Sequence, residues 1–470
     1  MKWKVFFRVD ASNEIGLGHL IRCFAFAKMI DDIFDIIFFC KSIPDALINE
    51  FTQANYLVYK ISSDDEFINL LQPSTLVILD GYDFDMQFQK KIKNICSNLI
   101  IIDDLYDNEY CADLLINHTP GVEVSDYINS SCKNFALGLN YVLLRPAFLR
   151  PIPQITKKNG TNTLMICFGG SDIKNLTHKV LNIVIESFNF NKIIVVTGAE
   201  YQYMSILKDF VISDSRIFHL HAINDEFMVK AMDEADVLVI PASGILFEAL
   251  SRKKKIVSGK YVENQKYVYS RFLEMSAIFG AGDFSFNEIV SALKRALQNS
   301  NKEISLFDGL SPYRLRKLLF ESFCILRQVN INDATFLFDL ANEQEVRGNS
   351  ISKAFFSFES HLKWFSEKLN SPNTKIYILT LFNVSIGQIR YDYLHNEWKI
   401  SYSVIKQLRG KGFGGLIIKK TIYNFKNVTV SADVKVNNFS SIHIFKKLGF
   451  VKMGKFLSNH EFYYNFKLKV

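Results

Sequence analysis

Short runs of β-branched and aromatic residues alternate with helical patterns along the first third of the chain. The runs predict six strands, over 4–9, 33–39, 56–61, 75–80, 98–103 and 114–117. Apolar positions at helical spacing predict helices over 20–30, 46–53 and 85–96. Such alternation is typical of a parallel sheet covered on both faces. We therefore predict a Rossmann-like α/β domain over 1–150.

A glycine-bearing loop follows the first predicted strand and ends in a histidine. Gly16 and Gly18 precede His19, and the helical pattern starts directly afterwards. A strand, such a loop and a helix place backbone N–H groups at the carboxyl edge of a sheet, where anions bind. Histidine also moves protons near neutral pH, although a tight turn with a helix-capping histidine fits the same pattern. Whether Asp10 or Glu14 orients the ring stays open.

Several of the predicted strands end in acidic or polar residues, at 80–82, 103–104 and 117–118. These ends share one edge of the sheet with His19, which is where an α/β site forms. Each aspartate fits a helix or turn cap equally well.

A second α/β series follows a polar, proline-containing stretch over 146–163, which we interpret as a linker. Strands are predicted over 162–168, 193–197, 237–240 and 255–258, and a helix over 245–250. A helical pattern over 313–327 closes this series. We predict a second Rossmann-like domain over 151–326, and a ligand cleft between the two halves.

Polar residues of the second series suit a nucleotide. Gly169-Gly170 and Ser243-Gly244 each lie between a predicted strand and a helix, where N–H groups can contact phosphate. Glu248 lies one helical turn after Gly244, where its carboxylate can reach ribose hydroxyls or simply interact with the helix dipole. Asn264 and Gln265 suit hydrogen bonds to sugar and uracil, and equally a helix start.

The last 140 residues show a different pattern. A strand over 398–404 leads into a glycine-rich loop and a helix over 416–425, which is followed by a strand over 428–432. Successive N–H groups freed by glycines form a nest that suits a pyrophosphate. The loop consists of Leu408, Arg409, Gly410, Lys411, Gly412, Phe413 and Gly414. Asn438 opens a last helix over 442–447. This part is predicted to be an α+β domain over 327–470.

Composition narrows the range of functions only slightly. The chain is 49% hydrophobic and 22% charged, with a net charge of +7. This mild excess permits anionic small substrates, and the absence of a long basic run argues against nucleic acid. Seven scattered cysteines without a C-x-x-C pair favour reduced thiols. We find no signal-peptide pattern and no run long enough to span a membrane, so a cytoplasmic location is expected.

Several segments of residues 1–325 together resemble the nucleotide-sugar hydrolases of pseudaminic acid biosynthesis (PseG-type). The resemblance lies in 8–12, 16–19, 22–23, 80–82, 103–104, 144–145, 169–172, 243–244, 248 and 264–265. It implies a GT-B fold and hydrolysis of UDP-2,4-diacetamido-2,4,6-trideoxy-β-L-altropyranose to UDP and free sugar, with inversion. In this mechanism we expect His19 to be the general base. No DxD-type metal pair stands out in the sequence, so no metal is expected. The substrate-binding residues implied are Asp10, Gly16, Gly18, Tyr82, Gly169, Gly170, Ser243, Gly244, Glu248, Asn264 and Gln265.

The C-terminal part resembles GNAT N-acetyltransferases, through residues 409–414 and through Asn438 with 447–450. Within that superfamily, 333–334, 342–343, 346–350 and 361–365 resemble the PseH-type enzymes. The resemblance implies acetyl-CoA as co-substrate, bound by residues 408–414 and Asn438, and acetylation of the 4-amino group of a UDP-amino sugar. Many GNAT enzymes carry a tyrosine as general acid seven residues after this asparagine, where this chain has Phe445.

Together these resemblances imply one bifunctional enzyme for two adjacent steps of pseudaminic acid biosynthesis, a pathway linked to flagellin glycosylation. Its partners would be UDP-sugar substrates, without nucleic acid or membrane, and other enzymes of the sugar pathway are candidate protein partners. Two alternatives stay open. The first part could be a GT-B glycosyltransferase, or a hydrolase of another nucleotide sugar. The GNAT part could be a degenerate module that only binds acetyl-CoA.

Overall fold

The computed structural model describes residues 3–12, 16–96, 98–105, 108–153, 162–299 and 305–470. The chain divides into two compact units, Met1–Ser322 and Phe323–Val470. Sequence patterns had placed this boundary between residues 326 and 327. Residues 13–15, and therefore Glu14, lie outside the described part, as do residues 154–161 of the predicted linker.

The first half of unit 1 is built on a parallel sheet of seven strands. These are β1 (Trp3–Val9), β2 (Phe34–Cys40), β3 (Leu57–Lys60), β4 (Leu76–Asp80), β5 (Leu99–Ile102), β6 (Leu114–Asn117) and β7 (Phe135–Leu137). Their order across the sheet is β3-β2-β1-β4-β5-β6-β7. Every neighbouring pair is parallel. The six predicted strands are confirmed, whereas the short β7 was not predicted.

Four helices connect the first strands of this sheet. They are α1 (Gly18–Ile30), α2 (Asp45–Gln53), α3 (Asp64–Asn69) and α4 (Met86–Ile95). The side chain of Asp85 accepts a hydrogen bond from the Phe88 N–H and so caps α4. Ser63 caps α3 in the same way, through the N–H of Glu66. The six-residue α3 was not predicted, because it is too short to show a helical period.

The second half of unit 1 has its own parallel sheet. Its strands are β8 (Thr163–Cys167), β9 (Lys192–Thr197), β10 (Ile217–His221), β11 (Val237–Pro241), β12 (Lys255–Gly259) and β13 (Phe279–Gly280). They lie in the order β10-β9-β8-β11-β12-β13, with all neighbours parallel. Two parallel sheets within one unit agree with the predicted pair of Rossmann-like halves.

Seven α-helices lie among the described residues of this half. They are α5 (Leu176–Ser187), α6 (Met204–Ser213), α7 (Asp225–Glu234), α8 (Gly244–Ser251), α9 (Lys266–Glu274), α10 (Phe286–Gln298) and α11 (Ser311–Phe323). Strands β8, β9 and β11 are buried along almost their whole length, as expected when helices cover both faces of a parallel sheet. None of the described helices of the chain is long and apolar enough to cross a membrane.

Unit 2 contains a mixed sheet of seven strands. These are β14 (Cys324–Gln328), β15 (Thr374–Leu381), β16 (Val384–Leu394), β17 (Glu397–Val404), β18 (Thr429–Lys435), β19 (Val451–Ser458) and β20 (Glu461–Lys469). Their order is β14-β15-β16-β17-β18-β20-β19. Only β17 and β18 pair in parallel among the described strands of this sheet. The helices are α12 (Ala334–Asn342), α13 (Gln344–Asn349), α14 (Phe358–Leu369), α15 (Phe413–Ile422) and α16 (Phe439–Lys447).

The helix predicted over 313–327 is wrong in its last residues. The helix α11 ends at Phe323, and Cys324 begins β14, which pairs antiparallel with β15. Apolar residues at 320, 323, 324 and 326 satisfy a helical period as well as a strand. The partner strand lies about fifty residues later in the chain, so local periodicity could not distinguish the two.

Candidate functional site

His19 is the second residue of α1 and lies at the carboxyl edge of the first sheet. Its buried ring places Nδ1 2.6 Å from Oδ1 of Asp80, the last residue of β4. The strands β1 and β4 are neighbours, and the chain leaves β1 toward β2 on the other side. Such a switch in strand order is where open α/β sheets form a ligand crevice. The predicted gathering of polar strand ends around His19 is therefore present.

The carboxylate of Asp80 is the centre of a buried charge network. It accepts hydrogen bonds of 2.6 Å from Nη2 and Nε of Arg22, which also donates from Nη1 to Asp104 at 2.6 Å. The thiol of Cys23 lies 3.4 Å from Asp80 Oδ2. Burial acts to raise the pKa of Asp80, but Arg22 and His19 outweigh it and lower the pKa to about 2. Asp80 is therefore ionised at neutral pH.

An ionised carboxylate determines the state of the histidine ring. A contact of 2.6 Å between the Asp80 oxygen and Nδ1 is attractive only when Nδ1 carries a proton. In the neutral imidazole, Nε2 is then the nitrogen that can accept a proton. The ring of Tyr82 packs edge-on against His19, with centroids 4.7 Å apart. Nη2 of Arg22 also lies 3.0 Å from Nδ1, but the shorter contact with Asp80 favours the tautomer and orientation that a general base requires.

Asp80, rather than Asp10, is the residue that orients His19. The Asp10 carboxylate lies 2.7 Å from Nη1 of Arg8 and accepts hydrogen bonds from the backbone N–H groups of Lys41 and Ser42. It therefore stabilises the loop after β2. Sequence reasoning had noted Asp80 only as one of several acidic strand ends. Asp80 and Asp103 each end a predicted strand, so the strand pattern offered no reason to prefer Asp80.

Tyr82 connects the two halves of unit 1. Its hydroxyl donates to Oδ2 of Asp104 at 3.4 Å and accepts a hydrogen bond of 3.3 Å from Nδ2 of Asn264. Burial raises the pKa of Tyr82, so its hydroxyl keeps its proton. The structure therefore brings Tyr82 next to His19 and Asn264 next to Tyr82, and both are predicted site residues.

His118 is a further buried histidine at the same sheet edge, directly after β6. Its ring packs edge-on against Phe247 in the first turn of α8, with centroids 4.5 Å apart. Nδ1 of this ring has no hydrogen-bond partner among the described residues. Burial and the nearby Arg22 lower its pKa to about 3, so the ring is neutral. Sequence reasoning had noted it only as a strand end.

The two glycine loops of the second half differ in how closely other residues pack against them. A Cβ at Gly170 would lie 2.4 Å from Cδ1 of Leu17, which belongs to the loop before His19. Gly169 has φ +86°, and Ser243 precedes α8, whose first residue is Gly244. A Cβ at Gly244 would meet no described atom within 4 Å. The start of α8 is therefore open, whereas Gly170 is needed for close packing.

Glu248 and Gln265 already have protein partners. The carboxylate of Glu248 accepts from Nε and Nη2 of Arg145, at 2.7 and 3.0 Å, in a nearly buried pair. Oε1 of Gln265 accepts the Tyr261 N–H at 3.0 Å. A ribose would thus meet a carboxylate held in place by Arg145 rather than a free one.

The predicted phosphate loop of unit 2 precedes α15. Gly410 and Gly412 have φ +75° and +95°, values that favour glycine, and a Cβ at either would meet no described atom within 4 Å. Leu408 and Phe413 have buried side chains, so their backbone is what a ligand could contact. Around Gly410 and Gly412 the loop therefore offers its backbone toward open space.

Arg409 does not contribute a free positive charge to this loop. Its guanidinium donates to both oxygens of Glu343 and to Glu345, and its Nε donates to the Val404 carbonyl. These bonds anchor the loop to the start of α13. Lys411 lies between the two glycines and has partners of its own.

Asn438 and Phe445 lie on α16. Oδ1 of Asn438 accepts the Ser441 N–H at 3.1 Å and so caps the helix. Phe445 is buried, and its ring packs against Phe450 and Phe466. A phenyl ring in this core cannot donate a proton. Among the described residues, no group of three or more His, Cys, Asp or Glu is placed to hold a metal ion.

Comparison with known proteins identifies both units. The UDP-2,4-diacetamido-2,4,6-trideoxy-β-L-altropyranose hydrolase of Campylobacter jejuni is 32% identical over 273 residues, which cover 56% of this chain and 93% of that protein. The spore coat polysaccharide biosynthesis protein SpsG of Bacillus subtilis is 22% identical over 314 residues, 64% of this chain and 91% of that protein.

The second unit and the chain as a whole have matches as well. The family model of the acetyltransferase (GNAT) domain matches residues 324–451. An uncharacterized protein of Methanocaldococcus jannaschii is 26% identical over 488 residues, 98% of this chain and 99% of that protein. The chain therefore belongs to the family of the UDP-2,4-diacetamido-2,4,6-trideoxy-β-L-altropyranose hydrolase and carries a GNAT acetyltransferase domain in its second unit.

Proposed function

We propose that unit 1 hydrolyses a UDP-sugar with His19 as the general base. The observation that carries this proposal is the hydrogen bond from His19 Nδ1 to the ionised Asp80, which leaves Nε2 to accept a proton. Nε2 takes a proton from water, and the water oxygen attacks the anomeric carbon opposite UDP. The C–O bond to the diphosphate breaks and the configuration inverts. Asp80 stabilises the imidazolium that forms.

The diphosphate would lie against the second half of unit 1. The open N-terminus of α8 at Ser243-Gly244 suits the negative charge that develops on the leaving group. The loop at Gly169-Gly170 is a second source of backbone N–H groups. Glu248, held by Arg145, would accept hydrogen bonds from the ribose hydroxyls through its remaining lone pairs.

The sugar we propose is 2,4-diacetamido-2,4,6-trideoxy-β-L-altropyranose, the one in the name of the Campylobacter relative. Tyr82 lies beside His19 and Asn264 beside Tyr82, and they carry hydroxyl and amide groups that suit such a sugar. The product pair would be UDP and the free diacetamido sugar. The pathway we propose is pseudaminic acid biosynthesis in the cytoplasm.

We propose that unit 2 transfers acetyl from acetyl-CoA to the 4-amino group of the UDP-amino sugar. The backbone of residues 408–414 would hold the CoA pyrophosphate, since its glycines leave N–H groups open. Asn438 would contact the pantetheine arm with its free amide N–H groups. Acetylation must precede hydrolysis, because the proposed substrate of the hydrolase already carries acetyl groups on both amines.

A second candidate function follows from Phe445. Because this buried ring cannot protonate a thiolate, unit 2 could bind acetyl-CoA without turnover. Unit 1 would then act on another nucleotide sugar, or transfer its sugar to an acceptor other than water. Two features favour the bifunctional reaction. Gly410 and Gly412 keep the loop of unit 2 open, and His19 of unit 1 is hydrogen-bonded to Asp80.

Mass spectrometry of the products of the full chain tests both halves together. The protein receives acetyl-CoA and the UDP-4-amino sugar in water enriched with ¹⁸O. We expect a UDP-sugar heavier by one acetyl group, then UDP and a free sugar with ¹⁸O at the anomeric carbon. Without acetyl-CoA, acetylated products should be absent. Acetylation without release of UDP would contradict the hydrolase, and hydrolysis without acetylation would support the second candidate.

A further inference from the structure

The parallel pair β17 and β18 separates along its length. Its ladder comprises the pairs Glu397 with Thr429, Trp398 with Val430 and Lys399 with Ser431. Beyond these, β17 stays paired with β16 and β18 with β20, so the described backbones of 400–404 and 432–435 are not joined to each other. Unpaired backbone groups at such an opening suit the amides of an extended thioester arm.

Two hydroxyl groups meet beside this opening. Tyr402 lies on the part of β17 that does not pair with β18, and its Oη is 2.9 Å from Oγ of Ser441, in the first turn of α16. The Tyr402 ring lies directly under α15, because a Cβ at Gly414 would be 2.9 Å from it. Both residues are only half-buried. The hydroxyl pair is therefore next to the glycine loop and to the strand opening.

We propose that the Tyr402–Ser441 hydroxyl pair donates the proton to the CoA thiolate in unit 2. This inference rests on the acetyltransferase function proposed above. The neutral amine attacks the thioester carbonyl, the C–S bond breaks, and the sulfur leaves with the electron pair. The sulfur takes its proton from the hydroxyl pair, which regains one from water. The amine nitrogen releases one proton to water, so that protons balance.

The position of the pair suits a leaving thiolate. Ser441 lies in the first turn of α16, where the helix dipole stabilises a developing negative charge. Burial raises the pKa of Tyr402, so its hydroxyl stays protonated at neutral pH. Phe445, whose ring centroid is 6.0 Å from that of Tyr402, has no proton to give.

A second hydroxyl pair on the neighbouring strand is a matched control. Oη of Tyr391 on β16 lies 2.7 Å from Oγ1 of Thr421 on α15. Both residues are fully buried, so this pair cannot reach a bound thioester. Replacing Tyr391 with phenylalanine removes the same hydroxyl from the same sheet without touching the opening.

The test compares Tyr402→Phe with Tyr391→Phe in the full chain, using CoA release from acetyl-CoA and the UDP-4-amino sugar. We expect kcat of Tyr402→Phe to fall about 10²-fold, within the usual range for a lost general acid. KM for acetyl-CoA should stay within about twofold, because the hydroxyl acts only as the C–S bond breaks. Ser441→Ala should lose a smaller factor, and Tyr391→Phe should keep wild-type kcat.

The outcomes separate this inference from the function on which it rests. No CoA release by the wild type would overturn both. Release by the wild type with equal kcat in the two tyrosine variants would overturn only the role of Tyr402. If Tyr402→Phe fails to bind acetyl-CoA in calorimetry, the kcat of Ser441→Ala becomes the test. A wild-type kcat in Ser441→Ala would then overturn the proposal. A solvent deuterium isotope effect on kcat that changes in Tyr402→Phe alone would support proton transfer.

Discussion

The groups that we propose to transfer protons in the two units lie in opposite electrostatic surroundings. In unit 1, His19 lies within a network of formal charges formed by Asp80, Arg22 and Asp104. In unit 2, the Tyr402–Ser441 pair carries no formal charge. A base that takes a proton from water becomes cationic and needs a fixed anion beside it. A donor to a thiolate needs only to keep its proton until the bond breaks.

The glycine loops of the two units also differ. At Gly170 the missing side chain allows Leu17 to approach, so the glycine serves packing between the halves of unit 1. At Gly412 the positive φ turns the chain into α15, and no described atom lies near a Cβ. The same residue type thus serves contact in one unit and exposure of backbone N–H groups in the other.

Removing the base of unit 1 is expected to have the largest effect. His19→Ala should reduce UDP-sugar hydrolysis about 10³-fold, because water then lacks a proton acceptor. UDP binding in calorimetry and acetyl transfer by unit 2 should remain. His178→Ala on α5 is the control, since this half-buried histidine pairs with Asn182 on the same helix. Wild-type hydrolysis by His19→Ala would disprove the assigned role.

Replacing Asp80 should reduce activity less than replacing His19, and it should change how the stability of the fold depends on pH. Asp80→Asn should lower hydrolysis about 10²-fold, because the imidazolium loses its counterion. The folded pKa of about 2 lies below the ordinary 3.8, so this carboxylate stabilises the fold above pH 4. That contribution, about 2 kcal/mol, is lost as the pH falls to 2.

The acid dependence is measured by urea unfolding of unit 1 in the full chain. Between pH 4 and 2 the wild type should lose more unfolding free energy than Asp80→Asn. Asp126→Asn is the charge-matched control, because Asp126 is exposed and far along the chain from this network. Equal acid dependence in wild type and Asp80→Asn would contradict the buried pairing.

In unit 2, the glycine loop should be sensitive to strain. Gly412→Ala forces a side chain into φ +95°, at a cost of about 1–2 kcal/mol. We expect the KM for acetyl-CoA to rise about tenfold. Gly415→Ala is the control, since Gly415 lies within α15 and a Cβ there is 4.0 Å from the nearest described atom. Equal KM values in both variants would argue against the loop as the CoA site.

The smallest effect is expected at the link between the halves of unit 1. Tyr82→Phe removes the hydroxyl that joins Asp104 to Asn264. One hydrogen bond contributes about 0.5–1.5 kcal/mol, so kcat/KM for the UDP-sugar should fall about three- to tenfold. Tyr59→Phe, at an exposed position on β3, should leave it unchanged. A loss as large as that of His19→Ala would give Tyr82 a part in the chemistry itself.

Hydrophobic periodicity predicted most strands of unit 1, because buried parallel strands are continuous apolar runs. In unit 2 it predicted β17, β18, α15 and α16, but most of the other described elements were not predicted. It failed where the deciding partner is distant in the chain. Residues 324–327 form a strand because β15 pairs with them. The partner of Glu248 could not be predicted either, since Arg145 lies about a hundred residues earlier in the chain.

The sequence by itself determined the α/β halves and the glycine loops, and it indicated His19 as the group that we propose to move a proton. The type of residue at these positions follows from local chemistry: glycine for positive φ, histidine for proton transfer. Only the tertiary structure decided that Asp80 orients His19 and that Tyr402 meets Ser441. These contacts join residues about forty to sixty positions apart, and their existence depends on which strands become neighbours.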